Sequence, residues 1–211
     1  MLIAVDGPAA SGKGTIARAL AHHFSLPHMD TGALYRAVAL NLWRWGGDPA
    51  SEFEAVRACD DIGSNSDDPE LRSEPVSKIA SVISAYPMVR AALLQRQREF
   101  AAQPAGAVLD GRDIGTVIAP DADAKLFVTA SAEVRAQRRV RELLGRGMPA
   151  HYADVLLDLQ SRDARDTGRD AAPLVEAADA ERLDTSELTA EQAVAEAVRL
   201  VEARLTADQA R

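Results

Sequence analysis

Leu2-Ile-Ala-Val-Asp6-Gly7-Pro8-Ala9-Ala10-Ser11-Gly12-Lys13-Gly14-Thr15 is the stretch on which the fold turns. Its first four residues are apolar and stop at Asp-Gly-Pro, which reads as a short buried strand entering a turn. Beyond it Ile16, Leu20 and Phe24 recur at helical spacing. Strand, glycine-rich loop and helix therefore follow one another directly. The glycines allow the backbone to curl with several N–H groups pointing inward. Those donors, the helix N-terminus and the Lys13 ammonium suit a polyphosphate. Residues Gly7, Pro8, Ala9, Ala10, Ser11, Gly12, Lys13, Gly14 and Thr15 are thus expected to hold the phosphates of a nucleotide, with the Thr15 hydroxyl near a magnesium ion. The strict form of such a loop has Ser or Thr directly after the lysine. Here Gly14 stands there and Thr15 follows.

Outward from this loop the pattern alternates. Short apolar runs at 107–110 and 125–129 read as further strands, 27–29 as a short second strand and 182–185 as a weaker fifth. Helical spacing covers 33–45, 76–84, 87–103, 131–145 and 191–205. Alternating strands and helices imply an α/β fold with a parallel five-stranded sheet and helices on both faces, of the P-loop NTPase type. Ligands of such sheets bind outside the carboxyl ends of the strands. Residues 46–75 break the alternation with Gly46-Gly47-Asp48-Pro49 and Gly63-Ser-Asn-Ser-Asp-Asp-Pro69. Within them 61–75, polar and poor in strand formers, is expected to be a short mobile loop.

Composition narrows the function. The 211 residues suit one domain, or one with a small insert, and 47% hydrophobic with 27% charged residues is ordinary for a globular chain. A net charge of −8, from 24 basic and 32 acidic residues, argues against a nucleic-acid polymer as partner but not against a small phosphate ligand in an arginine-lined pocket. Cys59 is the single cysteine, which excludes an intrachain disulfide and speaks against a cysteine zinc site. The first residues carry no basic region followed by a long apolar run, so neither a signal peptide nor a membrane span is expected. A cytoplasmic monomer acting on small-molecule nucleotides is the expectation. There is no Asn-Lys-x-Asp guanine motif, which speaks against a GTPase, and a motor or transporter subunit would need a longer chain.

Three further clusters carry chemistry. Asp30-Thr31-Gly-Ala-Leu-Tyr35-Arg36 follows the second strand, and its arginine suits a bidentate grip on an acceptor phosphate. Asp110-Gly-Arg112-Asp113-Ile-Gly-Thr116 closes a buried strand with two carboxylates and an arginine, costly unless they face a site. Asp110 resembles the acidic residue that many P-loop proteins place near magnesium. Between 158 and 170, Arg162, Asp166 and Arg169 would share one face if the segment is helical throughout. Arg135, Arg138, Arg139 and Arg141 form another basic run, read as partly ordinary helix surface.

Together these motifs resemble the bacterial cytidylate kinase family, in the family's order and over nearly the whole chain. The Gly14-Thr15 ending is itself the loop style of nucleoside monophosphate kinases. The resemblance implies that ATP phosphorylates CMP or dCMP with magnesium. It implies that Ser81, Arg90 and Asp113 read the cytosine, that Arg36, Arg112 and Arg169 hold the acceptor phosphate, and that Arg162 and Asp166 contact the pentose. Thr31 keeps the hydroxyl where many members have serine. Lys13, Arg112, Arg162 and Arg169 are the expected catalytic set, and Thr15 with Asp110 the expected metal side. One kinase domain is expected over 1–211. Its core would comprise 1–45, 86–145 and 173–211, with a shortened acceptor-side insert at about 46–85. A helical lid at about 146–172 is expected to supply its arginines only when both nucleotides bind, and without them to be more mobile or to stand away from the phosphate loop. Two departures stand out. Ala10 occupies a position where many members have glycine, and 61–75 is shorter and more polar than the small extra sheet the family usually carries. A kinase for UMP, shikimate or dephospho-coenzyme A would share the loop. A nucleotide-dependent regulatory module would bind ATP without acceptor-dependent ADP production.

Overall fold

The apolar runs pair as their alternation with helices requires. In the computed structural model, which describes residues 1–60, 62 and 68–209, five strands form one sheet. They are β1 (Leu2–Asp6), β2 (His28–Asp30), β3 (Ala107–Gly111), β4 (Ala124–Thr129) and β5 (Glu181–Asp184), in the order β2-β3-β1-β4-β5. β1 runs parallel to both β3 and β4, and β4 runs parallel to β5. Asp6 stands opposite Gly111 and Val5 opposite Asp110. The carboxyl ends of β1 and β3 are therefore level, and the two loops that leave them start side by side.

The chain packs as two compact units. The first comprises residues up to 29 and from 101 onward. Its helices are α1 (Lys13–His23), α6 (Ala132–Gly145), α7 (Tyr152–Gly168) and α8 (Ala190–Gln209). One sheet face, with Ile3, Val5, Val108, Leu126 and Val128, is covered by Ile16 and Leu20 of α1 and by Ala197 and Val201 of α8. Each such branched side chain, once buried, contributes about 1.5–3 kcal/mol. Ala4 and Leu109 point to the opposite face by strand alternation and are buried too.

The second unit, Asp30–Phe100, is helical beyond the end of β2. It holds α2 (Thr31–Trp45), α3 (Glu52–Arg57), a 3₁₀ turn (Pro69–Arg72), α4 (Glu74–Ile83) and α5 (Pro87–Ala101). Tyr35, Val38, Leu42, Leu71, Val76, Ile83 and Leu93 lie within one core. The expected insert at 46–85 falls inside this unit together with α2 and most of α5.

The expectation for 61–75 needs correction where the structure describes it. Residues 69–72 make a 3₁₀ turn and α4 begins at Glu74, so this part is helical rather than a loop. Two side-chain caps explain it. Asp68 accepts from the Glu70 amide and Ser73 from the Val76 amide, with a proline early in each turn. Polar composition hid these start signals. Residues 61 and 63–67 lie outside the described residues. No helix among the described residues is long and apolar enough to cross a membrane.

Candidate functional site

The phosphate loop leaves β1 at Gly7 and enters α1 at Lys13. Gly7 has φ 152°, and a Cβ there would lie 2.0 Å from the Val128 carbonyl oxygen of β4. The loop is thus pressed against the sheet edge as closely as a backbone allows. Gly7→Ala should cost at least about 2 kcal/mol of stability, because the obstacle is backbone and cannot rotate away; thermal denaturation would reveal it, and an unchanged midpoint would contradict the close approach. Ala10 also sits in the left-handed region, at φ 58°. An L side chain is strained in that conformation and glycine would not be.

The loop's carbonyls are tied from outside. Ala9 O accepts from an Arg135 guanidinium nitrogen at 3.2 Å, and Ser11 O accepts from the Thr185 hydroxyl at 3.0 Å. Arg138 reinforces this by donating to Thr185 O at 2.6 Å and Oγ1 at 2.8 Å. The α1 N-terminus adds the positive end of its dipole beside this loop. Gly12 gives it no side-chain cap, and the first turn has no acidic residue. Arg135 is therefore not helix surface: it is buried, and it also grips both carboxylate oxygens of Asp163, at 2.6 and 3.1 Å. Sequence reading missed this role, as it missed Thr185. The one available signal was an arginine in the first turn of a helix that follows a strand.

α7 is packed against this loop rather than standing away from it. Leu159 is buried with Ala9 and Ala136, and Val155 and Leu156 lie alongside. The apolar face of α7 and the Arg135–Asp163 pair both require that contact. α7 also ends at Gly168, and Arg169 is extended, with φ −72° and ψ 142°. The expected single helical face for Arg162, Asp166 and Arg169 is thus corrected: only the first two are helical.

The three basic groups nevertheless converge. Arg112 Nε donates to Asp166 Oδ2 at 2.8 Å. Arg169 donates through Nε to Ala172 O at 2.7 Å, and its NH2 lies 3.7 Å from Asp113 Oδ1. Burial alone would raise the Asp166 carboxyl, but the Arg112, Arg162 and Arg169 guanidiniums outweigh it and hold it below its ordinary value. Three guanidiniums thus gather around the buried carboxylates of Asp113 and Asp166, and their planar forks suit a phosphate.

Asp110 lies at the end of β3 and accepts from His28 Nε2 at 2.8 Å. Its oxygens reach to within 4.0 Å of where a Cβ on Gly14 would sit, beside the exposed Thr15. No group of three or more His, Cys, Asp or Glu among the described residues could hold a metal unaided. The donors present suit magnesium, which keeps several waters and takes one or two protein oxygens plus substrate phosphates.

In the second unit, Asp30 caps α2 through the Ala33 amide and holds Arg36 at 2.7 Å. Among the described residues Arg36 Nε is buried with no hydrogen-bond partner, which suits a donor to an anion. The Arg90 guanidinium lies 5.9 Å from the centre of the Tyr35 ring and donates to Ser84 O at 3.3 Å. Thr31 and Ser81 are buried.

Asp6, which the sequence reading treated only as a strand end, is buried at the rim of this site. Its Oδ1 accepts from the Ile114 amide and its Oδ2 from the Gly115 amide, both at 2.8 Å. Burial pushes its carboxyl from 3.8 up to about 6; the two amides oppose the rise, the Asp113 charge adds to it and Arg112 subtracts. Asp6 then binds a proton more tightly in the folded chain, so its stabilising contribution is full below about pH 4 and is lost as pH rises through about 6. Measured against Asp6→Asn, the stability of the natural chain should fall by up to about 3 kcal/mol between these limits. A pH-independent difference would mean that the carboxyl is not raised.

Comparison with known proteins gives the family of the chain. The family model described as Cytidylate kinase matches residues 3–203. A cytidylate kinase of Xanthobacter autotrophicus is 58% identical over 207 residues, covering 97% of this chain and 98% of that protein. One of Rhodopseudomonas palustris is 55% identical over 204 residues, covering 96% of each. Among solved structures, an uncharacterized protein from Eubacterium ventriosum superimposes with a TM-score of 0.58 at 12% identity, covering 96% of this chain and 98% of that one. A sugar kinase from Janibacter does so with a TM-score of 0.51 at 15% identity, covering 97% and 95%. The structural likenesses speak to the fold alone.

Proposed function

Because this chain belongs to the cytidylate kinase family, we propose a division of labour among its residues in the transfer of the ATP γ-phosphoryl group to CMP or dCMP. The chain is a phosphotransferase that yields CDP or dCDP and ADP. The family match over residues 3–203 carries this reading.

ATP is cradled by residues 7–15, its phosphates facing the uncapped start of α1 and the Lys13 ammonium. Thr15 and Asp110 are the residues that would hold magnesium, which would supply charge neutralisation at the phosphates. Arg36, Arg112 and Arg169 hold the acceptor phosphate. Arg162 and Asp166 take the pentose, and Ser81, Arg90 and Asp113 read the base. The acceptor is already an anion, so no general base is needed: transfer rests on alignment and on cations around the moving group. α7 over the phosphate loop helps to keep water from competing as acceptor. The site needs no nucleic-acid polymer and no second copy of the chain.

The test is on base choice. A carboxylate suits the exocyclic amine of cytosine, so Asp113→Asn should lower kcat/KM for CMP by roughly 1–3 kcal/mol and that for UMP by less. Equal losses for both acceptors would leave Asp113 a structural residue.

A further inference from the structure

We propose that Asp6 is a positioning residue of the acceptor side, fixing the loop that presents Arg112 and Asp113. The inference rests on the roles assigned above to those two residues.

Asp6 is the last residue of β1, and its neighbour Gly7 opens the phosphate loop. Its side chain does not serve that loop. It reaches across to the turn after β3 and receives the successive amides of Ile114 and Gly115, one on each oxygen. These amides directly follow Asp113. The turn they open is irregular: Ile114–Ile118 forms a single π turn, with the Ile118 amide donating to Asp113 O at 3.2 Å and the Ala119 amide to Ile114 O at 2.7 Å. Such a turn does not direct its leading amides to its own carbonyls, and an external acceptor is needed to set them.

A carboxylate is the side chain that meets this need. It accepts at both oxygens and donates at neither, whereas an amide accepts at one and presents an N–H at the other. A half-served turn can pivot about the remaining bond, and Asp113 lies one residue away. The room behind the turn is limited: a Cβ on Gly115 would lie 3.0 Å from Lys125 Cδ and 3.5 Å from Asp6 Oδ2. A shift of the turn reaches Asp113, the residue directly before it. Keeping a charge buried beside Asp113 is costly for stability, and the raised affinity of Asp6 for a proton reflects that cost. A purely structural position could have done without it.

The test is steady-state kinetics and ATP affinity on Asp6→Asn, with Asp6→Glu as a second variant that keeps the carboxylate but shifts its reach. Circular dichroism and thermal denaturation would first establish that each is folded. We expect KM for CMP to rise and the CMP-to-UMP ratio of kcat/KM to fall, each by about tenfold, with Kd for ATP within about twofold of the natural chain. The ratio is independent of the fraction of active protein, so a merely destabilised enzyme would not move it. Should Asp6→Asn not fold, Asp6→Glu is read in the same way. A folded variant with an unchanged ratio and KM would overturn the proposal, as would an ATP affinity lost in step with that for CMP, which would place Asp6 in service of the phosphate loop. Failure of the underlying reading would look different, because the natural chain would itself show no preference for CMP.

Discussion

Lys13→Ala should lower kcat by on the order of 10³-fold while the protein stays folded. Lys13 is the first residue of α1, at the mouth of a loop whose Ala9 and Ser11 carbonyls are turned outward to Arg135, Arg138 and Thr185. Nothing else in residues 7–15 is cationic. In the proposed division of labour the ammonium serves charge on the β and γ phosphates, which shifts as the γ group moves, so its loss would fall on the transition state more than on ATP binding. The fold should persist because the core under α1 is formed by Ile16, Ala17, Leu20 and Ala21. Single-turnover kinetics on the folded variant would check this. Retention of more than about a tenth of kcat, a change of only about 1.4 kcal/mol, would contradict it.

Arg169→Ala should have an effect of the same order on kcat, about 10³-fold, with the affinity for ATP alone nearly unchanged. The residue lies beyond the end of α7, its backbone extended and its side chain steered by the Ala172 carbonyl toward Asp113. Lysine could supply the charge but not the planar fork that bonds to a carbonyl and faces a carboxylate together, so Arg169→Lys should recover only a small part. Comparing kcat with an equilibrium Kd for ATP separates this from a general collapse of the arginine cluster. A parallel loss of ATP affinity would show that Arg169 acts on the donor nucleotide.

The three central strands were legible because β1, β3 and β4 are short, mostly apolar runs, and because glycine-rich curvature after the first of them has few structural meanings; β2 and β5, polar in sequence, gave weaker signals. Arg112, Asp113 and Asp110 were legible for a related reason: charged residues at the end of a buried strand need a site to justify them. Caps at Asp68 and Ser73 were present in the sequence but were read as loop, since the same residue types serve both ends. Arg169 was placed on a helix by spacing alone. Gly168 precedes it, and the chain leaves the helix there. Asp6, Arg135 and Thr185 were illegible for another reason. Their partners are backbone groups of segments far away in sequence, and no pattern of residue types announces a carbonyl or an amide. The strain at Ala10 was visible only as a departure from a family habit until its φ gave it a cause.

The most direct test of the whole account is a coupled ADP-release assay with ATP and magnesium across CMP, dCMP, UMP, AMP and GMP. The account predicts the highest kcat/KM for CMP or dCMP. A tenfold or greater advantage, about 1.4 kcal/mol, for UMP or AMP would contradict it.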